Sequence, residues 1–467
     1  MQPYDVSQWD VFQAAHLLNR AGFGGSPAQI EAFYRLGFPQ ALDRLLSYQA
    51  EKQSFPLPEY HEPQTLFQMT EGEPFLGVTP QVQRLLDPKP NNYMEIVQLR
   101  QWWLDRMVRT ENPLREKMTL FWHGHFATGN SKVGDSFFMW QQNEMLRNHA
   151  LGNFGELTKA VSRDPAMMAY LDLRNSQKAH PNENFARELM ELFTLGIGHY
   201  TEDDIKQSAR AFTGYRVSSV DKISFQFVPQ QFDNTPKKFL GWMGNFKGDD
   251  IVNIILHQPA CAEFIVRKLW RFFAGPEPSP ETVKDLAATF RDGHYEIAPL
   301  LRTIFSSQEF FSAEVRGHLI KSPVQWLIQT AKSMEVQLPQ DARAVGELAA
   351  MGQSLFDPPN VKGWDGGKAW INTNTLLRRY NFASYFLRNG PANSPFFANF
   401  QKIVPAGMRS DRTAIIASAA FRLYQRPLST DEMKTLTNFL EKRPRMDDYT
   451  LRSLYNLMMS APQYQLC

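Results

Sequence analysis

Helical periodicity runs through almost the whole of this 467-residue chain, and the places where it breaks set the architecture. Apolar residues recur every three or four positions in "EIVQLRQWWLDRMVRT", "SFFMWQQNEMLRNHAL" and "DDIVNIILHQPACAEFIVRKLWRFFAG", the spacing that turns one helical face into a core. Ser26-Pro27 supplies an N-cap followed by proline at the first helical position. Residues 50–92, rich in Pro, Gln and Glu, read as an extended arm or surface excursion. In 216–247, "KISFQFV" alternates and "KKFLGWMGNF" is punctuated by glycine, which predicts a small β-hairpin or loop insertion. The fold class is mainly α, either one large multi-helical domain or two helical lobes. In order, we expect N-terminal helices (1–49), the arm (50–92), a main helical domain carrying the site (93–394) and a C-terminal helical segment (395–467).

A net charge of +2 with no basic stripe argues against a nucleic-acid partner. Cys261 and Cys467 are the only cysteines, too few and too far apart for a disulfide framework or a thiolate metal site. No apolar run reaches the roughly 18 residues that span a bilayer, so no transmembrane segment is expected. The N-terminus lacks the pattern of a signal peptide, so the expected location is cytoplasmic. Periplasm or cell envelope, by co-export with a partner or after removal of a signal, is the alternative.

Three constellations could carry chemistry. The first is "FWHGHFATGN", where His123 and His125 flank Gly124. On a helix the two rings point roughly 200° apart, whereas at a helix end they can converge on one ligand. Trp122 and Phe126 lie four apart and share a helical face that anchors the motif. We expect the helix to end here and both rings to reach one polar cleft, so that alanine at either position leaves the fold intact.

The second is "LDLRNSQKAHPNENFARELMELFTLGIG". Asn182 is an N-cap; Glu183, Arg187 and Glu191 form one row at i, i+4, i+8, with Asn184 and Glu188 in a second. Phe185, Leu189, Leu192 and Phe193 leave little arc for solvent, so some of these charges must be partly buried. An ion-pair network and a functional site both fit. Asp172, Arg174 and Asn175 close the preceding helix, and His180 sits in the loop between. The third, "GWDGGKAWINTN", sets Trp364 and Trp370 beside Asp365, Asn372 and Asn374. Such a loop suits a sugar ring or is simply pinned to the core by its tryptophans. Phosphate-loop, HExxH, GxSxG and paired CxxC motifs are absent, and "RAGFGGSP" follows a helix rather than a strand.

The segments "HLLNRAGFGGSP", "FWHGHFATG", "LGNF", "DPAMMAYLD", "NENFARELMELFTLGIGHYTEDD" and "ARAFTGY" resemble, in order, the bacterial family catalogued as domain of unknown function 1800. The resemblance runs from about residue 12 to residue 385. In such relatives a His-Asp pair often precedes the lysine and glycine of the 230s stretch, where this chain has Phe232 before Asp233. The family implies no reaction. Its members often accompany exported proteins with an alkaline-phosphatase or sulfatase-like fold, which implies work at the cell envelope, on polysaccharide.

These readings converge on an enzyme whose catalytic set is His123, His125, Asp172, Asn182, Glu183, Arg187 and Glu188. Arg174, Asn175, Trp364, Trp370 and Asn372 would bind the substrate, a glycan or other polymer. His123, His125, Glu183 and Glu188 could hold one divalent metal ion that activates water. Without a metal, the same groups form an acid/base set for hydrolysis, or for elimination on a uronate. The alternative is a non-catalytic helical scaffold that binds the sulfatase-like partner.

Overall fold

The computed structural model describes residues 1–48, 54–58, 92–391 and 394–467. The arm expected over 50–92 lies almost wholly outside them. Within the described residues the chain is mainly α, from Val11–Ala21 to Asp448–Met459, with strand confined to two antiparallel pairs. The insertion holds two hairpins. In the first, β1 (Tyr215–Val217) pairs with β2 (Phe225–Phe227), Tyr215 opposite Phe227. In the second, β3 (Lys237–Phe239) pairs with β4 (Trp242–Gly244), Phe239 opposite Trp242. No helix of the described residues is long and apolar enough to cross a membrane.

Helices start where a short polar side chain can satisfy the first free N–H groups. Ser26 and Gln29 form a reciprocal capping box ahead of Pro27–Tyr34, and Thr201 and Asp204 do the same for Glu202–Ala211. Asp164 caps Pro165–Tyr170 by accepting from Met167 N–H, and burial pushes its carboxyl up to about 7.

Buried apolar residues fall into two clusters that do not follow chain order, because burial is non-directional. The first joins the N-terminal helices to residues 114–315. The second packs Asn92–Arg109 with Pro323–Met334, Arg412–Leu423 and Asp448–Met459. The segment after 395 therefore shares a core with a helix some three hundred residues upstream rather than forming one of its own.

The helix Pro113–His125 runs between the clusters. Leu114, Met118, Phe121 and Trp122 face the first, and Leu120 faces the second. Its buried Glu116 bonds two neighbouring helices to it. Arg147 reaches the carboxylate through Nε (2.6 Å) and Nη2 (3.0 Å), Trp103 donates from Nε1 (2.9 Å), and Arg106 pairs at 2.9 Å. Burial alone would raise the Glu116 pKa; Arg147, Arg106 and Trp103 overcome it and hold the carboxyl below its ordinary value. Removing one member of a buried charged set strands the others without partners. Glu116→Ala should therefore cost about 3–5 kcal/mol in urea unfolding. A loss under about 1 kcal/mol would show that the set contributes only at the level of surface pairs.

Candidate functional site

The helix of the two histidines persists through His125 and ends at Phe126. Full helical geometry therefore applies to both rings, and they diverge. His123 points to the second cluster. It lies 5.3 Å from Trp103 and 5.4 Å from Phe356, and its Nε2 accepts the Phe356 N–H at 3.0 Å. His125 points to the first, stacked on Phe121 at 5.9 Å. Its Nε2 meets the Phe193 carbonyl at 2.9 Å and its Nδ1 meets Lys268 Nζ at 3.0 Å. A carbonyl only accepts, so Nε2 carries the proton and Nδ1 accepts from the lysine.

Both rings are buried. Burial and then Arg100 push His123 down to about 3; burial and then Lys268 push His125 far below its ordinary value, more than the Phe193 bond restores. Both are neutral at pH 7. The expectation that they share one polar cleft is corrected: a helix that stays regular through Gly124 and His125 sends them apart. The expected ligand set of His123, His125, Glu183 and Glu188 is not assembled. Among the described residues, no three His, Cys, Asp or Glu are grouped to hold a metal ion.

The acidic helix is short. Glu183–Glu188 is α-helical, and Leu189–Thr194 continues as a π-helix. The wider turn breaks the i, i+4, i+8 row. Arg187 makes a two-pronged pair with Glu202 (2.8 and 2.9 Å) and lies 3.7 Å from Glu183, while Glu191 accepts from Tyr200 Oη at 2.9 Å. Arg187 and Glu183 thus form a partly exposed ion-pair network that joins this helix to Glu202–Ala211.

Asn182 caps the helix, its oxygen taking the Asn184 N–H at 2.8 Å and its amide donating to the Asp172 carbonyl at 3.3 Å. Asp172 has a left-handed backbone (φ 59°) and pairs with Lys132 at 2.8 Å. Arg174, Asn175 and His180 are exposed on this loop, which Arg216 fastens by donating to the carbonyls of Arg174 and Ser176.

In the third constellation the two tryptophans part company. Trp370 is buried, so it is a core anchor rather than the expected sugar platform. Asn372 spends its oxygen on the Thr375 N–H as the cap of Thr373–Phe386. Trp364 is half-buried, 5.6 Å from the His123 ring and lying over Gly124. The loop can come this close because Gly363 has φ +86°, and any Cβ there would collide with the Gly124 carbonyl.

What the structure does gather is a cluster of acids and tyrosines around Tyr170. This ring is raised above the ordinary tyrosine range by burial and by the charges of Asp357 and Glu188. Glu188 is half-buried and is itself raised, by burial first and then by Glu191, against the pull of Arg187. Tyr200 is pushed up to about 12 by burial and by its bond to Glu191. Asp357 takes the Ser131 N–H at 3.2 Å and lies 3.9 Å from Arg100. Gly129 lets Asp357 and Tyr170 approach the same backbone, since a Cβ there would stand 3.2 Å from Asp357 Oδ1 and 3.4 Å from the Tyr170 ring. Tyr170, Tyr200, Asp357 and Lys268 carry no sequence signal, because no spacing links four residues on four separate elements.

At the 230s position, Phe232 is buried against Phe227, and Lys237 Nζ sits 4.9 Å above its ring. Asp233 binds Arg210 (2.7 Å); burial opposes its ionisation, but Arg210 and Thr235 bring it down to about 2. This pair staples the insertion.

The chain is thus a helical protein with two neutral, backbone-bound histidines on one helix and a separate cluster of carboxylates and tyrosines. It belongs to the family described as "Protein of unknown function (DUF1800)", whose model matches residues 16–466, nearly its whole length. No curated protein and no solved structure matches it.

The histidines make a pH prediction. Their folded pKa values lie below the unfolded value, so their contribution to stability is present above about pH 6.5 and is lost as pH falls towards the folded values. In that window each depressed histidine contributes a slope of about 1.4 kcal/mol per pH unit. His123→Gln, which can still accept from Phe356 N–H, should lower the slope of unfolding free energy between about pH 6 and 4 by close to that amount. An unchanged slope would mean that His123 ionises in the folded protein.

Proposed function

We propose that this protein cleaves a sugar polymer by acid/base chemistry at the Tyr170 cluster, without a metal bound by the histidines. The observation that carries the reading is Glu188. It is a half-buried carboxyl with a raised pKa and, among the described residues, no hydrogen-bond donor or ion-pair partner. Burial without a bound donor favours its protonated form, which a proton donor needs. Asp357 bears on the same tyrosine and supplies the second carboxylate that glycoside cleavage needs.

In hydrolysis, Glu188 gives its proton to the departing glycosidic oxygen while Asp357 takes one from the attacking water. On a uronate, elimination would use one group to remove the ring proton and the other to protonate the leaving oxygen. Trp364 offers the face on which a sugar stacks. Glu188→Gln and Asp357→Asn should each lower release of new reducing ends, or of unsaturated uronates, from a panel of envelope polysaccharides by about 100-fold or more. Full activity in Glu188→Gln would overturn the assignment.

A second reading, docking of a sulfatase-like partner, is favoured by the tip of the second hairpin, where Trp242 and Met243 are 51% and 76% exposed. Replacing both with serine should leave cleavage intact and abolish capture of that partner if docking is the role.

A further inference from the structure

Lys268 is a partly buried ammonium whose neighbours solvate it without neutralising it. Its Nζ donates to His125 Nδ1 at 3.0 Å and to the Leu192 carbonyl at 3.1 Å. The His125 tautomer fixes the first of these acceptors as neutral, and the second is a backbone oxygen. One of the three N–H donors is left over. The Phe264 ring, centred 4.8 Å away, forms one apolar wall.

The charged groups that act on Lys268 are Arg271 and Lys362, both cations. The nearby acids serve other partners, Glu277 pairing with Arg271 at 2.5 Å and Asp365 with Lys362 at 2.8 Å. No ion pair reaches Lys268 among the described residues. A buried charge normally has a counter-charge, and none reaches Lys268, while the two cations that bear on it each keep an acid of their own. Lys362 belongs to the loop that lays Trp364 over Gly124, one residue from His125.

We infer that Lys268 and Lys362 form an anion subsite beside the Trp364 platform, which takes the acidic group of a sugar. The substrate class is then an acidic glycan, with a carboxylate or sulfate on the ring. This rests on the sugar-polymer reading above, and the experiment separates the two.

Trigalacturonate and its methyl ester share rings and linkages and differ in charge. In titration calorimetry of the full chain, the acid should bind about tenfold more tightly than the ester, the worth of one partly desolvated ion pair. Lys362→Met and Lys268→Met should each bring the ratio close to one. Because Lys268→Met also removes the His125 donor and can fail to fold, Lys362→Met carries the test in that event. In parallel, sulfate should raise the melting temperature relative to chloride at equal ionic strength, and Lys362→Met should abolish that gain. Equal binding of acid and ester, or a preference that survives Lys362→Met, overturns the subsite. Sulfate protection with no binding of either trisaccharide supports the anion subsite and overturns its assignment to a sugar, along with the sugar-polymer reading.

Discussion

The two-sided binding of the His125 imidazole is the interaction on which the site depends. A helix leaves its last carbonyls without partners, and here those are Leu192 and Phe193 at the end of the π-helix. His125 supplies the donor for Phe193, and Lys268 supplies one for Leu192 while also donating to the imidazole. Three helices that are distant in sequence meet through one neutral ring. Neither phenylalanine nor lysine could replace it, since the position needs a donor on one edge, an acceptor on the other and no charge. A cation near a helix C-terminus is also favoured by the helix dipole, which helps Lys268 remain in place without an acid.

His123 performs the matching task on the opposite side. By accepting the Phe356 N–H it sets the start of the loop that carries Asp357 and, further on, Trp364. The region is therefore built from the helix out. Glu116 fixes the helix against its neighbours, the histidines fix what lies at its end, and the carboxylates and tyrosines around Tyr170 are half-buried. Buried neutral imidazoles give the site rigidity, while the half-buried Glu188, Tyr170 and Tyr200 are held above their ordinary pKa values.

Much of this was legible in the sequence, and the remainder was hidden for identifiable reasons. The cap at Ser26, the cap at Asn182, the β-rich insertion and the burial of Trp122 with Phe126 all follow from local rules. The 200° divergence of the histidines was equally available, but it depended on whether the helix reached residue 125, and Gly124 suggests an earlier end. Glycine stands inside this helix with its bare face beneath Trp364 and its carbonyl approached by Gly363. The row Glu183, Arg187, Glu191 follows from α-helical spacing, and the π-turn that breaks it leaves no mark in the sequence. Lys268 sits in an amphipathic helix where it reads as a solvent-facing lysine. Only the fold shows that its neighbours are a histidine, a carbonyl and two cations.

The most direct test of this account is the protonation state of the two imidazoles, read by nitrogen-15 NMR of histidine-labelled protein. The account predicts two neutral rings of opposite tautomer, with the proton on Nδ1 of His123 and on Nε2 of His125. Neither signal should titrate between about pH 7.5 and 5, where an ordinary histidine changes charge, and neither should shift on addition of zinc. A ring that titrates near the ordinary value, or a zinc-dependent shift of both rings together, would contradict it and restore a metal or proton-transfer role to the pair.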